Sequence, residues 1–128
     1  MSASILLIED NDINMDVMIL ILNGLGLEVI PALNGPAGLA IARSQRPDLI
    51  LCDIAMPHLD GFGVLNAVKS DPDTASIPVI AVTAMAADGD GARLLAAGFD
   101  SYLSKPVEID DLKRELARYL PSWPGLRA

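Results

Sequence analysis

The chain has 128 residues, of which 52% are apolar, and carries a formal charge of −8 with a pI near 4.3. That size suits one domain with its own core, and the negative charge argues against nucleic acid or an anionic membrane surface as a partner. A single cysteine, Cys52, excludes an internal disulfide framework and points to a reducing, cytoplasmic setting, and the longest apolar stretch, Val17 to Leu22, falls far short of the roughly 18 to 20 residues that span a bilayer.

Met1-Ser2-Ala3-Ser4 holds no basic segment, so no signal peptide is expected. The first strand-like run, 4 to 8, reads Ile5-Leu6-Leu7-Ile8 and ends on two acids, Glu9 and Asp10. A helix follows at about 12 to 24. On a wheel of 100° per residue, Ile13, Asn14, Val17, Met18, Ile21 and Leu25 share one side, which is expected to face a sheet. Met15, Ile19 and Leu20 are then expected beside the polar positions Asp16 and Asn23, as an apolar patch that docks a partner.

Run 27 to 33 contains Pro31, which cannot donate to a ladder and so suits an edge strand, and a helix is expected at 35 to 45. Run 47 to 52, Pro47 to Cys52, is almost continuously apolar and ends on Asp53. The loop Ile54 to Gly61 comes next, with Asp60 expected to cap a helix over 61 to 70. His58 in this loop reads as an exposed loop residue rather than a metal ligand or phosphate acceptor. Run 77 to 83 ends on Thr83-Ala84, and the helix after it, 88 to 97, contains Gly89 and Gly91, which should fray its first turn. The last strand, 101 to 104, is short, and Lys105-Pro106 closes it. The final helix, 108 to 120, shows an exposed mixed-charge face of Asp110, Asp111, Lys113, Arg114, Glu115 and Arg118. A short tail, 121 to 128, holds the only tryptophan, Trp123, which is expected to lie away from Asp53 and to report poorly on events there.

Strands alternating with helices call for parallel pairing with helices on both faces. The continuously apolar runs belong at the centre of such a sheet and the other two at its edges. The expected fold is a doubly wound α/β sheet of five parallel strands in order 2-1-3-4-5, the flavodoxin-like (βα)5 arrangement. Ligand chemistry in such a sheet collects at the carboxyl ends of the strands. Glu9, Asp10, Asp53, Thr83 and Lys105 all stand there. Carboxylates about 4 Å apart repel by roughly 4 kcal/mol per pair at an effective dielectric near 20. A cation is therefore required, and an octahedral, partly hydrated Mg²⁺ suits oxygen ligands of this kind. Zinc is disfavoured by the single His and single Cys. A carboxylate nucleophile beside a cation and a hydroxyl suits phosphoryl transfer to the carboxylate.

Glu9-Asp10, Asp53 followed by Met56-Pro57 and Asp60-Gly61, Thr83-Ala84, Tyr102 and Lys105-Pro106 together resemble the receiver domains of two-component response regulators, of the single-domain, chemotaxis-regulator-like kind. The resemblance spans about residues 4 to 120 and implies a receiver domain over 1 to 120. It implies Asp53 as phosphoacceptor, with Glu9, Asp10, Asp53 and the Ala55 carbonyl around Mg²⁺, or Mn²⁺ in its place. It further implies that Lys105 and Thr83 bind the phosphoryl oxygens, that Tyr102 follows Thr83 by changing rotamer, and that the Lys105-Pro106 peptide is cis. Ala84 should leave the site open, and Ala55 and Met85 are the neighbours that tune phosphoryl lifetime in such domains. The implied partners are a histidine kinase or histidine phosphotransfer protein upstream and a protein target downstream. Catalysis would be limited to self-catalysed phosphorylation and dephosphorylation of Asp53.

A phosphorylation-independent interaction module of the same fold is the alternative, although such modules typically lack one of the acids or the Lys. A flavodoxin would need a Ser/Thr/Gly-rich loop where this chain has Glu9-Asp10-Asn11-Asp12, and a dehalogenase-type phosphatase would want a second acid at Ala55.

Overall fold

The computed structural model describes residues 3–56, 59–84, 90–121 and 123. Pro57, His58, Met85 and Gly89, about which the sequence raised expectations, lie outside the described residues. Five parallel strands, β1 (Ser4–Ile8), β2 (Glu28–Ala32), β3 (Leu49–Asp53), β4 (Val79–Thr83) and β5 (Ser101–Ser104), form one sheet in the order β2-β1-β3-β4-β5. The helices are α1 (Asp12–Gly24), α2 (Gly35–Gln45), α3 (Gly61–Ser70), α4 (Asp90–Ala97) and α5 (Ile109–Tyr119). The expected order and edge positions are those observed. Pro31 sits on β2 at one edge, opposite Leu7 of β1.

Strand alternation sorts the core into two layers. Leu6, Ile8, Ile50, Cys52, Val79 and Ala81 pack with Val64, Leu65 and Val68 of α3 and Leu94 of α4. Their neighbours Ile5, Leu7, Leu49, Leu51, Ile80, Val82 and Leu103 pack with α1 and α5 on the opposite face. The strands are near-continuous apolar runs because both faces are covered.

Local chemistry sets the helix starts. Asn11, Asn34 and Asp60 each accept a hydrogen bond from a backbone N–H in the first turn of α1, α2 and α3, at 2.9, 2.8 and 3.0 Å. The cap expected of Asp60 is thus observed, and a further bond from the Gly61 N–H to the Ile54 carbonyl closes the β3–α3 loop at 3.0 Å. A Cβ at Gly61 would lie 2.9 Å from the Asp53 carbonyl oxygen, so this loop returns to the strand end only because residue 61 has no side chain.

Three expectations need correction. The face of α1 against the sheet is Met15, Met18 and Leu22, while Ile13 and Val17 are exposed. Met15 is therefore buried and Ile19 half-buried, and Leu20 alone of the expected patch is fully exposed. The helix is apolar almost all the way round, so periodicity left its rotation open. Glu115 does not belong to an exposed charged face of α5. It is buried and accepts a 2.5 Å hydrogen bond from the Ser101 hydroxyl of β5. Apart from these corrections, Trp123, whose burial the sequence left open, lies in the α1/α5 layer, and its indole N–H donates to the Leu25 carbonyl at 2.8 Å.

Candidate functional site

The carboxyl ends of β1, β3 and β5 meet at one rim, and the alternation that sends Leu7, Leu51 and Leu103 toward α1 and α5 continues into Glu9, Asp53 and Lys105. Glu9 and Asp53 are 3% and 5% exposed. Lys105 reaches between them, with Nζ 3.2 Å from Glu9 Oε2 and 3.3 Å from Asp53 Oδ2. The other Glu9 oxygen accepts the Asn11 N–H at 3.2 Å, which joins the acid to the cap of α1. Asp10 is exposed at the mouth. One carboxylate oxygen from each of Glu9, Asp10 and Asp53 lies within 4.8 Å of the others.

Backbone bonds hold this rim together. The Glu9 N–H donates to Ala32 at 3.0 Å, Ile54 to Val82 at 3.2 Å and Lys105 to Thr83 at 2.8 Å. Thr83 is buried at the end of β4, next to Val82, which pairs with Asp53. The Lys105-Pro106 peptide is cis, as the resemblance implied. Ala55 and Ala84 are both exposed, which leaves the approach to Asp53 uncrowded on those sides.

Burial pushes the Asp53 carboxyl above the usual carboxylate range and the charge of Glu9 adds to this, while Lys105 and the Ala55 N–H work in the opposite direction. For Lys105, burial alone would lower the ammonium pKa, but the facing carboxylates of Asp53 and Glu9 outweigh it and hold it above its usual value. Burial drives the Cys52 thiol far above its ordinary value, with Asp53 adding to the effect, so Cys52 stays protonated and is no nucleophile. Two of the three acids, Glu9 and Asp53, share one ammonium, and all three offer hard oxygen donors. The residues therefore fit a hard divalent cation.

A pocket of about 190 Å³ opens beside Asp53 and Lys105. Val17, Met18 and Ile21 of α1 wall it on one side, and Pro106 and Val107 on the other. The sequence reading missed Asn14 and Val107, which line this pocket together with Glu9. The available signal for Asn14 was its place on the wheel beside Val17, Met18 and Ile21, which line the same pocket.

Glu9, Asp10, Asp53, Thr83 and Lys105 thus stand on one rim of a five-stranded parallel sheet, and this arrangement defines a phosphoacceptor class of signalling domain. The chain belongs to the response regulator receiver domain family, whose sequence model matches residues 5–117. It is 39% identical over 120 residues to the polar-differentiation response regulator DivK of Brucella anthropi, covering 94% of this chain and 98% of that protein. The receiver domain of sensor histidine kinase PA1611 from Pseudomonas aeruginosa, solved with magnesium coordinated in its active-site cleft, superposes with a TM-score of 0.87 at 36% identity over 95% of this chain and all of that one. Chemotaxis protein CheY4 of Vibrio cholerae superposes with a TM-score of 0.85 at 28% identity, over 94% of this chain and 100% of that one. Among the described residues no helix is long and apolar enough to cross a membrane.

Proposed function

We propose that Asp53 is the phosphoacceptor of a cytoplasmic phosphorelay and takes its phosphoryl group from a phosphohistidine. The observation that carries this reading is the buried Asp53 carboxylate, bridged to Glu9 by Lys105 in a cluster of three acids. An Asp53 oxygen attacks phosphorus, the bond from phosphorus to the imidazole nitrogen breaks, and its electron pair stays on the leaving imidazole. Lys105 favours the ionised, nucleophilic form of Asp53 and then faces the phosphoryl oxygens. Thr83 offers its hydroxyl to the same oxygens, and Tyr102 follows Thr83. Glu9, Asp10, Asp53 and the Ala55 carbonyl would hold Mg²⁺, which supplies positive charge against the phosphoryl oxygens when bound. Hydrolysis is self-catalysed, with water entering past Ala55 and Ala84.

The receiver domain comprises residues 1–120, with 121–128 as a C-terminal tail. The upstream partner is a histidine kinase or histidine phosphotransfer protein, and the downstream one is a protein target. The donor docks on the outer side of α1, where Ile13, Val17 and Leu20 are exposed in a row at helical spacing beside the pocket. Leu20 keeps the role expected from the sequence, and Ile13 and Val17 take the places of Met15 and Ile19.

The reading is tested by incubating the protein with a small acyl phosphate and Mg²⁺ and following its intact mass. A single phosphoryl gain is expected, dependent on Mg²⁺ and absent in Asp53→Asn. No gain in a folded wild type, with neither a small donor nor a histidine donor, favours the phosphorylation-independent module. In the docking test, Leu20→Asp should slow transfer from a cognate histidine donor and leave transfer from the acyl phosphate unchanged.

A further inference from the structure

We infer that Gly91 is the seat of Tyr102, and that the missing side chain at this position of α4 holds the tyrosine away from Thr83 and so sets how readily the domain reaches its phosphorylated conformation. The inference rests on the reading of Tyr102 as a residue that responds to the site.

Tyr102 lies opposite Ala81 in the β4–β5 ladder, and Thr83 is two residues further along β4. Parallel pairing and strand alternation therefore put Tyr102 and Thr83 on the same face of the sheet, the one covered by α4. Gly91 precedes the buried Leu94 by three residues, so both lie on the side of α4 that faces this edge. A Cβ built on Gly91 would lie 2.7 Å from Cε1 of Tyr102 and closer still to its Cζ and hydroxyl, so the ring occupies the space a side chain would take.

Gly91 is not among the residues of positive φ, so alanine suits its backbone and raises helix propensity. The three atoms such a methyl would meet first all belong to the outer end of the Tyr102 side chain. That side chain is 39% exposed and has two torsions, so it yields before the backbone does. Alanine at 91 thus removes the outward resting place and leaves the inward one, toward Thr83, comparatively favoured.

The test uses the full chain labelled with 3-fluorotyrosine. It has two tyrosines, Tyr102 and Tyr119, so Tyr119→Phe assigns the fluorine signals. Wild type and Gly91→Ala are compared with and without Mg²⁺ and beryllofluoride, a phosphoryl mimic. In ligand-free Gly91→Ala the Tyr102 signal should already have moved toward its beryllofluoride-bound position in wild type. Linkage then requires tighter beryllofluoride binding, by about fivefold or more. In a Tyr102→Ala background, Gly91→Ala should leave that affinity unchanged.

An unmoved Tyr102 signal in Gly91→Ala, a move without the gain in affinity, or a gain that persists without Tyr102 overturns the inference. A wild-type Tyr102 signal that ignores bound beryllofluoride overturns the responsive role of Tyr102 and this inference with it. An intact wild-type response beside an unmoved Gly91→Ala signal overturns the inference alone.

Discussion

Asp53 occupies a place that disfavours its own charge, and this has a measurable sign. Its folded pKa is raised above the ordinary 3.8, by burial first and by Glu9 second. Between those two values the native state binds more protons than the unfolded chain, so stability falls as pH rises through that window, and the full cost remains above it. Replacing the carboxylate by an uncharged isostere should remove the cost. Asp53→Asn is expected to stabilise the Mg²⁺-free protein at pH 7, seen as a higher midpoint in urea melts. The gain should vanish below pH 3.8, where Asp53 is protonated in both states. Lys105 has the opposite role. Its pKa is raised in the fold, so on the alkaline side its contribution is present below about 10.5 and is lost as pH climbs through the folded value. Lys105→Met, which leaves Glu9 and Asp53 without their shared cation, should cost about 1–3 kcal/mol at pH 7. That deficit should shrink on acidification as Asp53, whose pKa is already raised, takes up its proton, and a greater loss at acid pH would contradict the electrostatic account.

Among the elements, α1 carries the test of packing. Leu22 is 0% exposed and Leu20 is 74% exposed, although the two residues are chemically identical and stand two apart. Leu22→Ala should cost about 2–5 kcal/mol and Leu20→Ala no more than about 0.5 kcal/mol. The rotation implied by the wheel count, with Ile13 and Val17 inward, predicts comparable losses at positions 13 and 17 instead. This difference shows where sequence patterning ran out. The strands were readable because runs such as Leu49 to Cys52 are apolar without interruption and stop at an acid, and these same acids marked the site. The rotation of α1 was not readable, since apolar residues at 13, 15 and 17 to 22 leave no clean polar arc to orient it. Glu115 looked like one charge among six on α5 because its partner, Ser101, lies 14 residues away on another element. The fit of Tyr102 over Gly91 was hidden in the same way: each residue was visible, but not their contact.

At the scale of the molecule, the sheet joins Glu9, Asp53 and Lys105 across three strands, and Trp123 closes the α1/α5 layer on the same face. Trp123 packs among Leu22, Leu27, Leu116 and Leu120 in one apolar cluster, and its N–H to the Leu25 carbonyl ties residue 123 to the end of α1. Its emission should be blue-shifted in the native protein and move to the red on unfolding, and Trp123→Ala should cost about 2–4 kcal/mol. A red, solvent-like native emission would contradict that packing. The central claim concerns Asp53, and trapping the phosphorylated residue tests it most directly. After exposure to an acyl phosphate and Mg²⁺, borohydride reduction converts an aspartyl phosphate to homoserine, which peptide sequencing by mass spectrometry then locates. Homoserine at position 53 and at no other acid is the expected result. Homoserine at Glu9-adjacent Asp10 or elsewhere, with Asp53 unmodified in a folded protein, would contradict the account.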